Sequence, residues 1–197
     1  MSTSVGRYHH GDLKEALLQA AERMIDADVS RSFSLRELAR EADVSHAAPY
    51  KHFAERGEIV LALAERWMAA FVAEQQAAGD QGDARDNLLA IGAAYVRYGH
   101  AHPARFLTIF DPTLNRPDAP ATPAFAESVH QHRALLHDAV RRAAAARVLP
   151  HADLVITAAA LWSQVHGLAT LVMLGYLPFA DTKPVLAALL VEDVSWE

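Results

Sequence analysis

Apolar residues recur along this chain at spacings of three and four almost from end to end. Leu13, Leu17, Ala20, Ala21, Met24 and Ile25 form one such stripe, the spacing of an amphipathic helix. Asp12 and Glu15 stand where a capping box would open it. Ser34 and Glu37 make a second box, ahead of a short helix carrying Leu35, Leu38 and Ala39. Asp43-Val44 reads as a tight connection, and Ser45 as the N-cap of a further short helix over 45–52. Pro49 then falls at the end of the first turn, where it forfeits at most one backbone hydrogen bond. Longer helices are predicted over 56–77, with Ile59, Leu63, Ala70 and Phe71 along one side, and over 85–101, 124–147, 150–174 and 182–191. A short helix begins at Pro103. The Gly- and Asp-rich stretch from Ala77 to Asp86 and the Pro-rich stretch from Asp111 to Pro123 interrupt them. Nothing alternates with a period of two, so no strand is predicted. The predicted class is all-α, with a three-helix unit over 1–54 and a larger helical unit over 55–197.

One segment is out of keeping with a core helix. Over 45–52 the chain places His46, Tyr50, Lys51 and His52 where packing would ask for Leu and Ala. Two short helices joined by a turn of three or four residues make a helix-turn-helix, whose second helix enters the DNA major groove. Val44, Leu35, Leu38, Ala39, Phe53 and, in part, Tyr50 are then the packing residues. Ser34, Arg36, Ser45, His46, Ala47, Tyr50, Lys51, His52 and Arg56 become the candidate DNA-facing set. Ser and His can donate to base edges or phosphates, Ala can touch a thymine methyl, and Lys and the Tyr hydroxyl suit phosphate oxygens.

The net charge of −6 argues against a generally basic coat but leaves room for a small local footprint. There is no cysteine, which excludes disulfide and thiol chemistry and fits a reducing cytoplasm. The N-terminus has no apolar signal region, so the expected location is cytoplasmic. Leu154 to Ala180 carries no Asp, Glu, Lys or Arg and is long enough to span a bilayer. Its Ser163, Gln164, His166, Gly167 and Pro178 suit a hydrocarbon-facing surface poorly, so a buried helix in a core or dimer seam is expected, and no membrane partner.

At the residues from Gly11 to Ile25 and from Phe33 to Leu63, the chain resembles the TetR family of transcriptional regulators. Ser-Leu-Arg-Glu-Leu-Ala, Val-Ser and Tyr-Lys-His-Phe stand in that family's order. Asp43 occupies the position where the pattern usually has Gly, and Asp tolerates the left-handed backbone better than most residues. Trp162, His166 and Gly167 match a Trp-x-x-x-His-Gly variant of the C-terminal domain. The resemblance implies an all-helical homodimer whose last two helices form a four-helix bundle with the partner. It also implies a near-palindromic double-stranded DNA operator, read at two points about 34 Å apart. A small hydrophobic or amphipathic effector, bound in the C-terminal domain, would release a repressor from that operator.

Tyr95, Tyr98, Phe106, Phe110, Trp162 and His166 are the candidate lining of an effector cavity, which in helical bundles is apolar with a few polar groups. Core packing and the dimer seam are the plainer roles for the same aromatic residues, and Gly167 would then permit close helix approach. His9 and His10 read as a polar arm near the DNA backbone rather than a metal pair, because adjacent histidines point apart. His130, His132 and His137 read as a solvated or pocket-edge face, and Arg141, Arg142 and Arg147 as a solvated helix end. No nucleophile–base pair, phosphate loop or metal cluster is evident, so no enzyme activity, cofactor or metal is expected. A rival acid–base pair, His166 with Asp153, sits 13 residues apart on one predicted helix, about 20 Å at 1.5 Å per residue.

Overall fold

The structure, a computed structural model, describes residues 10–28, 32–79, 82–114, 122–149 and 153–190. Those residues form eight α-helices and two short 3-10 turns, with no strand among them. The helices are α1 His10–Ala27, α2 Leu35–Glu41, α3 Arg56–Ala78, α4 Ala84–Ala101, α5 Pro103–Ile109, α6 Pro123–Ala145, α7 Leu154–Met173 and α8 Thr182–Ala188. The chain divides into two compact units, Met1–Arg66 and Trp67–Glu197.

In the first unit the predicted cap of α2 is present in full. The Glu37 amide donates to Ser34 Oγ at 3.2 Å, and the Ser34 amide donates to Glu37 Oε2 at 2.8 Å. Ser34→Ala is expected to lower stability by about 1 kcal/mol, the usual worth of such a cap, and a chemical-unfolding midpoint checks it. An unchanged midpoint would show that the box contributes nothing in solution. Asp43 ends the helix at φ 53, the left-handed conformation anticipated for it. Leu17, Leu18, Ala20, Ala21, Leu38, Ala39, Ile59 and Leu63 fill the core between α1, α2 and the start of α3.

Two local expectations change. α1 begins at His10, so Asp12 lies inside the helix rather than at its cap. Glu15 instead accepts from both terminal nitrogens of Arg66, at 2.9 and 2.6 Å, which holds its carboxyl below the usual range. The segment over 45–52 is not a full α-helix: only Pro49–Lys51 is helical, as one 3-10 turn. Pro49 has no N–H to offer the Ser45 carbonyl, and that carbonyl accepts from the Ala48 amide at 2.9 Å, one residue early.

The second unit is organised around α4, which packs on α5, α6, α7 and α8. α6 opens at Thr122, whose hydroxyl accepts from the Phe125 amide at 3.1 Å, with Pro123 in the first turn. α7 opens at Asp153, whose carboxylate accepts from the Val155 and Ile156 amides at 2.8 and 3.2 Å. Gly175 takes φ 76, which stops α7 and lets the Tyr176 amide donate to the Leu171 carbonyl at 2.9 Å.

Of the two settings expected for α7, a core or a dimer seam, the single chain supplies only part of the first: Val155 and Ile156 are 65 and 68 % exposed, and Trp162, Leu171, Leu174 and Tyr176 are exposed as well. α7 is also the one described helix long and apolar enough to cross a membrane by length and composition. A Cβ added to Gly167 would meet nothing within 4 Å, so within the chain this residue admits no close helix contact. Gly99 does: a Cβ there would lie 3.3 Å from the Phe106 ring. Ala70, placed by its spacing beside Phe71, is exposed, because the aromatic side of α3 is narrower than the stripe drawn from the sequence.

Candidate nucleic-acid interface and ligand cavity

The turn after α2 presents a compact polar surface. Ala48 and Phe53 are 6 and 4 % exposed, and Pro49 is buried beside them. Burial of these three turns their neighbours outward. Ser34, Arg36, Ser45, His46, Ala47 and Lys51 are exposed, and Tyr50 is 58 % exposed. His52 and Arg56 are half-buried. The Arg56 guanidinium lies 5.0 Å from the Phe33 ring centroid, a cation–π contact that ties the start of α3 to the loop before α2. His52 lies 6.5 Å from Phe53, whose ring also carries Lys14 Nζ at 5.7 Å. The described turn therefore offers two hydroxyls, an imidazole, an ammonium and a small apolar contact on one surface. Both His9 and the side chain of His10 lie outside the described residues.

In the second unit the six aromatic and histidine residues singled out from the sequence come together in one cluster. Tyr95 lies 5.5 Å from Phe106 and 6.0 Å from Phe110, and His166 lies 4.9 Å from Phe110 and 6.1 Å from Trp162. They do not share one role. Tyr98 is buried and donates its hydroxyl to the Trp67 carbonyl at 3.1 Å. Phe106 is buried behind His166, with the rings stacked at 5.4 Å and 26°. Tyr95, Trp162, Phe110 and His166 line open space.

Two cavities of about 50 and 290 Å³ meet here, sharing His132, Leu136 and Trp162 in their walls. The smaller runs between α4, α7 and α8 past Leu88, Ile91, Leu161 and Val165. The larger passes Met68, Phe110, Val129 and Ala158, with Arg133 and His137 at its exposed edge. A more open recess bounded by Phe110, Arg133, Trp162 and His166 adjoins it.

The polar groups of this region are connected in a chain. Trp162 Nε1–H can only donate, and it lies 3.3 Å from the Tyr95 hydroxyl oxygen. The same hydroxyl hydrogen-bonds His166 Nδ1 at 2.7 Å. Burial raises the Tyr95 hydroxyl above its usual range and lowers His166, which keeps both neutral.

The sequence pattern did not name Phe71 as a member of the site and left His132 on a solvated or pocket-edge face. Phe71 of α3 is 0 % exposed and lies 5.0 to 6.1 Å from Tyr95, Tyr98, Phe106, Phe110 and His132. His132 is not on a solvated face: it is 7 % exposed, and burial, helped by the positive charge of Arg133, pushes its pKa down to about 4. The spacing did contain a signal. Phe125, His132, Ala139, Val140 and Ala143 form one buried stripe along α6, with His132 on it, whereas His130 and His137 are exposed. Arg141 pairs with Asp138, and Arg142 reaches both Asp138 at 3.2 Å and Asn87 Oδ1 at 3.2 Å, so this end of α6 is tied down rather than simply solvated. Asp153 is occupied as the α7 cap, a turn-bound role far along the helix from His166. No cluster of three metal-ligating side chains occurs among the described residues.

Comparison with known proteins places this geometry. Residues 88–194 match the family model described as the tetracyclin repressor-like C-terminal domain. A protein of unknown function from Rhodococcus sp. RHA1 is similar at 33 % identity, with TM-score 0.78, over 93 % of this chain and 94 % of that one. The TetR family transcriptional regulator PfmR from Thermus thermophilus shares the fold at 18 % identity, with TM-score 0.68, over 91 % of this chain and 98 % of that one. The regulator FadR from Bacillus subtilis, in complex with stearoyl-CoA, shares it at 14 % identity, with TM-score 0.69, over 90 and 97 % of the two chains. No curated protein sequence matches the chain.

Proposed function

The chain belongs to the TetR family of transcriptional regulators, and on that premise we propose that it is a homodimeric repressor released from a near-palindromic operator by a small effector. The observation that carries the DNA-binding part is the turn at 45–51. Its apolar residues Ala48, Pro49 and Phe53 are turned inward, leaving Ser45, His46, Ala47, Tyr50 and Lys51 uncovered. A chain that built this turn for its own stability would bury those side chains. Ser34 and Arg36 at the start of α2 extend the same polar set, and His52 and Arg56 act at its edge.

The exposed apolar side of α7 supports dimerisation. Val155 and Ile156 at its start, Trp162 midway, and Leu171, Leu174 and Tyr176 at and beyond its end are all exposed, more large apolar residues than one segment ordinarily leaves in water. A twofold partner would cover it with the same surface of its own. The cavity beside Tyr95, His132 and Trp162 is the effector site of this reading, with Phe110 and His166 at its mouth. An effector lowers operator affinity only if it prefers a dimer shape with another spacing of the two reading turns. The protein acts in the cytoplasm, with no membrane partner and no cofactor.

The test is a gel shift with the DNA flanking the chain's own coding region, where proteins of this family often bind. The double variant Tyr50→Ala, Lys51→Ala is expected to bind at least about tenfold more weakly, with a salt dependence shallower by about one ion. Binding by the double variant equal to that of the parent would remove the turn from the DNA interface.

A further inference from the structure

The cavity wall contains one buried polar atom with nothing to bind. His132 Nδ1 is buried without a hydrogen-bond partner, and the residue lines both cavities together with Leu136 and Trp162, its ring 5.8 Å from that of Tyr95. We propose that this cavity takes an uncharged, mainly apolar molecule bearing one hydroxyl group, which His132 Nδ1 holds by a hydrogen bond. The inference rests on the reading of this cavity as the effector site and specifies the chemistry of its occupant.

Three features select that class. The smaller cavity beside His132 is almost wholly apolar, with Leu88, Ile91, Leu136, Leu161 and Val165 presenting hydrocarbon, and the larger is mainly so, with Met68, Phe110, Val129 and Ala158, so most of the ligand must be hydrocarbon too. An unpaired buried imidazole nitrogen destabilises the fold, and a ligand group that pairs with it recovers that loss. A hydroxyl can donate or accept, so it satisfies Nδ1 in either tautomer of the neutral ring. The third feature is charge. The titratable groups facing His132 are Tyr95 from α4, His166 from α7 and Arg133 from its own helix, while α3 and the end of α5 present Phe71 and Phe110. Tyr95 and His166 are neutral, and Arg133 opposes protonation of His132. A carboxylate placed beside His132 would lose its hydration, and the cation that lines the same cavity, Arg133, lies exposed at its edge. Arg133 could hold an acid, but only at the exposed edge of the larger cavity, where screening by water weakens the pair.

The probes are octanol and octanoate, which share a chain and differ in the head group, titrated calorimetrically into the full-length protein at neutral pH. Octanol is expected to bind at least about tenfold more tightly than octanoate, without proton uptake. His132→Phe keeps a ring of similar size, and is expected to weaken octanol about tenfold while leaving octanoate nearly unchanged. Tighter binding of octanoate, lost on Arg133→Ala or accompanied by uptake of a proton, would overturn the proposal in favour of an amphipathic acid. So would failure of both probes to bind. If His132→Phe does not melt cooperatively, the alcohol-over-acid preference of the unaltered protein decides. A parallel gel shift separates ligand class from effector role. Octanol that binds without changing DNA affinity supports the class and removes the effector role; release by octanoate alone overturns the class and leaves that role standing.

Discussion

Phe71→Ala is expected to lower the unfolding free energy by about 3–5 kcal/mol, the usual cost of deleting a fully buried aromatic ring. Phe71 has no solvent exposure and meets Tyr95, Tyr98, Phe106, Phe110 and His132 through edge-to-face or tilted contacts. Those rings come from α4, from α5 and its C-cap, and from α6, so the loss opens a void where three elements converge on α3. Against a typical total of about 5–15 kcal/mol the change is severe. Urea unfolding at one fixed protein concentration measures it, because dimerisation would make the midpoint depend on concentration. Phe71→Leu should cost less than half as much, since most of the volume remains. A loss below about 1 kcal/mol for the alanine variant would mean that the cluster closes without this ring.

Acid should unfold the protein through His132 as well as through its carboxylates. The ordinary pKa of 6.5 falls to about 4 in the fold, because burial penalises the charged ring before Arg133 and His166 add to it. The folded state therefore binds fewer protons than the unfolded chain between those values. Stability from this residue is complete above about pH 6.5 and is lost as the pH falls towards 4. The span corresponds to about 3 kcal/mol at 1.36 kcal/mol per unit. His166, lowered by burial, acts in the same direction. Denaturant midpoints taken across this range measure the slope. In His132→Phe that part of the slope should flatten, whatever the variant's stability at neutral pH. An unchanged slope would mean that His132 is not neutral and buried in solution.

The proposed dimer surface and the proposed ligand class depend on features of different kinds. The α7 surface is apolar by composition and legible in the chain alone, yet which of its residues stay uncovered depends on how α4 and α6 pack against it. The cavity depends on a single polar atom whose isolation is visible only once Tyr95, Leu136 and Trp162 are placed around it.

What the sequence determined by itself was local. The α2 capping box joins residues three apart, and the left-handed Asp43 follows from its own side chain and the turn it closes. The helix limits near Arg56, Ala101, Pro103 and Thr182 follow from proline, caps and breaks in spacing within a few residues of each end. Even the shortening of the 45–52 helix is written locally, in the amide that Pro49 lacks. Tertiary structure alone decided the rest. The hydrogen bond between Tyr95 and His166 joins residues 71 apart, and the one from Trp162 to Tyr95 joins residues 67 apart. The helical period allowed both a buried and an exposed His132, and packing of Phe71 and Tyr95 against it selected the buried one. Hydrogen bonds within a turn are enforced by chain connectivity, whereas a cavity and its unpaired nitrogen arise only where separate helices meet.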